Sequence, residues 1–365
     1  MKNIFSHFIV LLLLLNLGCN SGKQKNDDNT DQAFAAFENV FLDAYWKQYP
    51  SGSIYAGYGK YYDKLVIPDS ASFAGNISFS GNWIDSLNKI DYSRLNENNK
   101  ISFNIIKNQL ESDTWYNAVF KTQEWDASNY NISASGDYII NQPYAPLDER
   151  LRILTRFLQH TDEYYKAGFS NLNKPTKEHV DLAIVQNKGG LQVFGAALAD
   201  SIKSSHLSAD EKSALEQNIG RTLKAMNGYI DSLNAIVANK NYVYRDFRIG
   251  KKLFTEKFKY DIVTDLTPEQ VYEKAIADKK YYHQKMFKMA DSVWSKYCGT
   301  QQKPTDSLEL VQLVYDKIQL NHATPATFFN SIANQVYELK KFIIEKNLFD
   351  FDTSATPIKV RFMPE

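Results

Sequence analysis

The apolar positions along this chain fall mostly into steps of three and four, the spacing that puts side chains on one face of a helix. From Phe34 they run Phe34, Phe37, Phe41, Ala44 and Tyr45, and Pro50 ends the run. Gly52, Gly57 and Gly59 open a loop, and the weak alternation of Ser70–Ser80 predicts a short strand. Trp83, Leu87 and Ile90 begin a second helix. A third covers Asn98–Trp115 and is expected to bury Ile101, Ile105 and Leu110. Asn129–Tyr144, rich in Asn, Ser, Gly and Pro, reads as a long loop. Such loops are often functional.

Beyond it the helical signal strengthens. Leu147, Leu151, Leu154, Leu158, Thr161 and Tyr165 follow Pro146, a residue tolerated in a first turn. Pro175-Thr176 opens the next helix, with Val180, Ile184, Leu191 and Phe194 inside and Gly189-Gly190 expected to weaken it. Ser208 and Glu211 have capping-box spacing ahead of Leu215, Ile219, Leu223, Met226, Ile230, Leu233 and Val237. Thr267, Pro268 and Gln270 start a helix that runs towards Trp294, and another covers Leu308–Leu320. Thr324-Pro325 opens the last, with Phe329, Ile332, Val336, Leu339 and Ile343 on one face. No fixed-period repeat stands out, which argues against a repeat solenoid. Ile358–Phe362 reads as a strand, and a lone strand must pair with something. The fold class predicted is all-α, a multi-helix array with a few short strands or long loops.

The amino terminus changes the picture. Lys2 precedes an apolar run from Phe8 to Leu15, too short to span a bilayer but suited to an export signal. Leu15-Asn16-Leu17-Gly18-Cys19 resembles a lipobox, in which the Cys is acylated and begins the mature protein; Asn16 departs from the usual Leu. The competing reading is an ordinary secretory signal with a chance Cys. Asn20–Asp31 has no large apolar residue and reads as a tether, and its Lys23-Gln24-Lys25 and Asp27-Asp28 are similar to the charged tags of some surface lipoproteins. The chain thus divides into a signal peptide (1–18), a tether (19–31) and a helical domain (32–365). The expected location is the bacterial envelope, at the outer membrane or cell surface, with the lipid bilayer as partner through acylated Cys19.

Charge excludes one class of partner. The 42 basic and 42 acidic residues leave no surplus for phosphate binding, so nucleic acid is not expected. The 23 Tyr and 22 Phe read more readily as core than as a Tyr-lined cleft. Cys19 and Cys298 give no disulfide framework, and Cys298 is expected to be a small buried apolar group.

No catalytic motif is complete. None of the six His lies within four residues of another, so no helix carries a His-Glu-x-x-His pair for zinc. His160, Asp162 and Glu163 could meet a metal, although a polar helix face explains them as well. Ser51-Gly52-Ser53 is not a nucleophile elbow, and Gly57-Tyr58-Gly59-Lys60 lacks the end of a phosphate loop.

One stretch is more specific: Tyr244-Arg245-Asp246-Phe247-Arg248-Ile249-Gly250-Lys251-Lys252-Leu253-Phe254, then Leu266-Thr267-Pro268-Glu269. It resembles the Arg-x-Gly-x-x-x-Phe … Leu-Thr-Pro-Glu segment of the bacterial DUF885 family. The helix ending at Pro50, Gly57 with Tyr62-Asp63, and Trp83–Ile90 are similar to that family's opening. Thr356-Pro357-Ile358-Lys359-Val360 is similar to the strand that opens its second half. The resemblance implies a mostly helical, exported, zinc-metallopeptidase-like lipoprotein. Its metal motif, His-Glu-x-x-Pro-Gly-His, belongs to that second half, so this chain is expected to be the amino-terminal scaffold half and inactive alone. No cofactor is expected in it, zinc being expected only with a second half. Arg248, Gly250 and Phe254 would line the substrate cleft, with peptide as the substrate. A structural role competes for each: close backbone approach for Gly250, core for Phe254. The alternative is a non-enzymatic surface lipoprotein that binds glycan or peptide through the Asn129–Tyr144 loop, Tyr130 and Tyr138 included. A partner-docking role through an uncovered strand edge is a further option.

Overall fold

The computed structural model describes residues 28–350 together with 352, 354, 358 and 360. The expected signal peptide, Cys19, most of the expected tether and most of the strand expected at Ile358–Phe362 lie outside the described residues. The fold is all-α: among the described residues the sole β pairing is an isolated parallel bridge between Thr176 and Arg245. The chain divides at Asp265 into two compact units, where the sequence reading had one helical domain.

The first unit opens with α1 (Asp28–Gln48), which starts four residues before the expected edge of the domain and stops ahead of Pro50. Pro50 begins the short α2 (Pro50–Tyr55). The strand expected at Ser70–Ser80 is instead the first half of α3 (Ser70–Leu87). The Asp69 carboxylate accepts from the Ser72 amide and fixes the start, and the small Ser, Ala and Gly residues behind it resist neither period. Phe79, Trp83, Ile84 and Leu87 then bring one face onto α1 and α4 (Glu97–Trp115) around Phe34, Phe41 and Leu110.

Within α4 the expected face is wrong. Ile101 and Ile105 are 59% and 64% exposed, whereas Phe103, Ile106 and Leu110 are buried. Residues two apart lie about 200° apart around a helix. The bulk of Phe103 against Phe34, 6.3 Å between ring centroids, selects the other side.

The Asn129–Tyr144 loop is also overturned, since it holds α5 (Ser133–Asn141), with Ser133, Ser135, Gly136, Ile139 and Ile140 buried. Its Ser and Gly residues serve close approach: a Cβ on Gly190 would meet Ser133 at 2.5 Å, and one on Gly136 would meet Phe194 at 2.8 Å. After it come α6 (Leu147–Phe157), a 3-10 turn, α7 (Thr161–Asn171), α8 (Lys177–Gly190), α9 (Ala196–Ser204) and α10 (Ala209–Ala238). The apolar run from Leu147 to Tyr165 therefore spans two helices, and Gly190 ends α8. The Ser208–Glu211 capping box is formed. These helices close the main core around Leu151, Leu154, Leu158, Val180, Leu215 and Leu233. α11 (Gly250–Ile262) completes the unit.

The second unit contains α12 (Pro268–Cys298), started by the Thr267–Gln270 capping box, α13 (Ser307–Ile318) and α14 (Pro325–Lys346). Ala290 and Trp294 of α12 meet Leu310 and Val314 of α13 in a small core. Cys298 is half-buried beside it. No helix among the described residues is long and apolar enough to cross a membrane.

Candidate functional site

The segment that leads into α11 is held by a cluster that no sequence motif announces. The Arg245 amide donates to the Pro175 carbonyl at 3.3 Å, and the Thr176 amide donates to the Trp125 carbonyl at 3.2 Å. The Arg245 guanidinium sits 4.6 Å from the Trp125 ring centre, a cation–π contact. Phe247 stacks on His179 at 5.5 Å, and Trp125 meets the same imidazole edge-on at 5.4 Å. His179 Nδ1 is 2.5 Å from Thr176 Oγ1, and its Nε2 is 3.5 Å from Asp126 Oδ2. The other Asp126 oxygen accepts from the Ser128 amide at 3.0 Å.

Hydroxyl, imidazole and carboxylate in that order are the parts of a nucleophilic triad. The geometry here assigns them another task. Thr176 is fully buried, and its hydroxyl also accepts from the His179 amide as the cap of α8. A substrate carbonyl has no approach to that oxygen. The cluster is a lock that fastens residues 244–247 to the start of α8.

Of the three residues expected at a cleft, none lines either of the two clefts described here. The Arg248 side chain is 87% exposed, 3.8 Å from Asp246. Gly250 has φ +79 and open space where a Cβ would stand, so its glycine answers a left-handed backbone and not a close approach. Phe254, expected in the core, is half exposed beside Phe258. Ile249 just ahead of α11 and Leu253 and Tyr260 on its inward face pack on Trp115, Phe120 and Trp125. Glu256 on that helix accepts from Trp115 Nε1 at 2.9 Å. Trp125, Asp126, His179 and Phe247 were not singled out from the sequence. The Pro175-Thr176 cap pointed to the start of α8, but nothing local links Trp125 to a residue more than fifty positions away.

Among the described residues the donors do not fit a zinc ion. His160 Nδ1 is 3.3 Å from Glu163, His179 faces Asp126, and His206 faces Asp148, three imidazoles with three different carboxylates, while His283 and His322 meet Ser307 and the Ala323 carbonyl. No group of three His, Cys, Asp or Glu among the described residues is placed to hold a metal.

Two clefts mark the first unit. The smaller, about 230 Å³, is lined by Pro68, Tyr116, Asn117, Gln123, Tyr130 and Tyr164, among others. That is below the usual size of a small-molecule site, roughly 300–1,000 Å³. Tyr130 is locked in place, its hydroxyl donating to the Gln123 carbonyl at 2.7 Å and pushed up to about 12 by burial. The larger, about 490 Å³, runs between α7 and α10.

Comparison with known proteins places these features in a family. A family model described as a bacterial protein of unknown function, DUF885, matches residues 50–365. A solved structure of a candidate lipoprotein of unknown function from Shewanella oneidensis superposes with a TM-score of 0.76 at 34% identity. The match covers 88% of this chain and 59% of that one, so this chain spans less than two thirds of its neighbour's length. No curated protein matches.

Proposed function

The chain belongs to the DUF885 family of bacterial proteins, and from that membership we propose that it is a lipid-anchored envelope protein. Its helical region would be the scaffold, and one wall of the substrate cleft, of a zinc-metallopeptidase-like fold. The observation that carries the reading is the ordered match over residues 50–365 together with a lipoprotein neighbour of greater length. In this reading the metal centre comes from polypeptide beyond the region matched, because the donors of the described residues do not fit zinc. Peptide remains the substrate class, on the family resemblance alone. The glycan- or peptide-binding alternative loses its platform, since Asn129–Tyr144 holds a buried helix and Tyr130 is core.

The test is metal analysis and peptide hydrolysis on the purified chain. Substoichiometric zinc and no cleavage of a mixed peptide library are expected. Stoichiometric zinc with cleavage would overturn the reading.

A further inference from the structure

We propose that the groove between α7 and α10 is a binding site for an acidic peptide segment. The proposal does not depend on where a metal centre resides.

The two helices run side by side in the same direction. Thr161 and Thr222 share a 2.8 Å hydrogen bond at one end, and Tyr165 and Phe169 reach Tyr229 further along. The groove above these contacts holds about 490 Å³, within the size of a ligand site. Lys166 lines it from α7, and Arg221 and Lys224 line it from α10. Asp162 is the lone carboxylate in the lining. Neither lysine is in an ion pair with another described residue, and Arg221 donates to the neutral Asn218 side chain. In a chain of zero net charge, three cations around one recess without carboxylate partners complement an anion.

The floor decides which anion. Tyr165 and Tyr229 are 3% and 2% exposed, and their rings pack on each other 5.4 Å apart. Their hydroxyls are engaged inward, with Asn187 at 3.0 Å and the Ala127 carbonyl at 2.8 Å. Neither tyrosine offers an open ring face on which a sugar could lie. What remains is an apolar recess, walled by the partly exposed Phe169 ring and deepened at Gly228, where a Cβ would meet nothing within 4 Å. A carboxylate-bearing chain with an apolar side chain fits that combination, and an anionic glycan does not.

The experiment is fluorescence anisotropy of a labelled Asp-Phe-Asp-Glu peptide with the full chain, at low salt and at about 0.15 M. Saturable binding is expected, weaker at the higher salt. Lys166→Glu combined with Lys224→Glu should weaken it by roughly tenfold or more. Gly228→Leu should abolish it by filling the recess, with an unchanged melting temperature as the control that the fold is kept, the Cβ itself meeting nothing within 4 Å. Absence of saturable binding would overturn the proposal, as would equal affinity in both variants. So would tighter capture of a sulfated oligosaccharide that depends on the same lysines.

Discussion

The side-chain oxygen of buried Asn187 accepts a 3.0 Å hydrogen bond from the Tyr165 hydroxyl. The same amide donates to the Tyr130 carbonyl at 3.2 Å, so one residue of α8 satisfies polar groups from α7 and from the turn before α5. Burial pushes the Tyr165 hydroxyl above the ordinary phenol range and keeps it a donor. Asn187→Leu keeps the branched shape but takes away the acceptor of the Tyr165 hydroxyl proton and the donor to the Tyr130 carbonyl, both away from water. The expected loss is about 2–4 kcal/mol, read by denaturant unfolding, because each orphaned buried group costs about 1–3. Adding Tyr165→Phe removes the orphaned donor, at the cost of the long 3.4 Å bond from the Ile132 amide, and should recover part of the loss. A loss unchanged or deepened by the second substitution would show that the bond is not what matters there.

Adjacent glycines at the end of α8 should respond with opposite signs. Gly190→Ala drives a methyl group to 2.5 Å from Ser133, where α5 crosses, and should cost about 1–3 kcal/mol by overpacking. At Gly189 a Cβ meets nothing within 4 Å. Gly189→Ala should therefore stabilise by up to about 1 kcal/mol through helix propensity alone. Thermal melts of the two variants decide it. The same sign for both would mean that α5 and α8 do not approach here.

Acid should weaken the junction of α6 and α10 in a defined window. The Arg152 guanidinium, 2.7 Å away, and then the Ser208 amide hold the Glu211 carboxyl down to about 2, against an ordinary value of 4.5. A folded-state pKa below the unfolded one means a contribution fully present above 4.5 and lost as pH falls through the folded value. Glu211→Gln keeps a capping side chain but removes the charge. Its melting temperature should lie below wild type at pH 7, with the gap closing between about pH 4.5 and pH 2. A gap that persists at pH 2 would mean that the charge is not its source.

Helix starts were the most legible part of the fold, because Ser208, Thr267 and Thr176 act within four residues of themselves and need no partner elsewhere. The errors lie where a distant neighbour decides. Ser133–Asn141 has a loop's composition, yet those small residues are what let α5 lie against Gly190 and Phe194. Ile101 and Ile105 have the spacing of a buried face, yet Phe103 claims the core through Phe34. At the candidate site the family segment was visible and its geometry was not. Phe254 looked like core until Leu253 and Tyr260 took the inward face of α11.

In the proposed reading anchoring rests on Cys19, which lies outside the described residues, and it has a direct readout. With the lipobox reading, Cys19→Ser in the full-length chain should move the protein from the membrane pellet to the soluble fraction and abolish metabolic labelling by palmitate. An unlabelled wild-type chain that is soluble after export would favour an ordinary secretory signal. One acyl chain gives only marginal binding, so retention after mild salt washing points to more than one chain.

Gly250 and Arg248 separate a backbone role from a binding role within one turn of chain. Gly250 holds φ +79 at the first residue of α11, a region that costs an L side chain roughly 1–2 kcal/mol. Gly250→Ala should lower stability by about that amount, with no clash to relieve, because nothing stands within 4 Å of the added methyl. Arg248 is different: its side chain is 87% exposed and its nearest carboxylate, Asp246, is 3.8 Å away. Arg248→Ala should leave unfolding within about 0.5 kcal/mol of wild type. Any effect of Arg248→Ala on peptide capture is then an effect on the ligand, because the fold has not changed. If Arg248→Ala instead destabilises as much as Gly250→Ala, the arginine belongs to the scaffold and the cleft wall lies elsewhere.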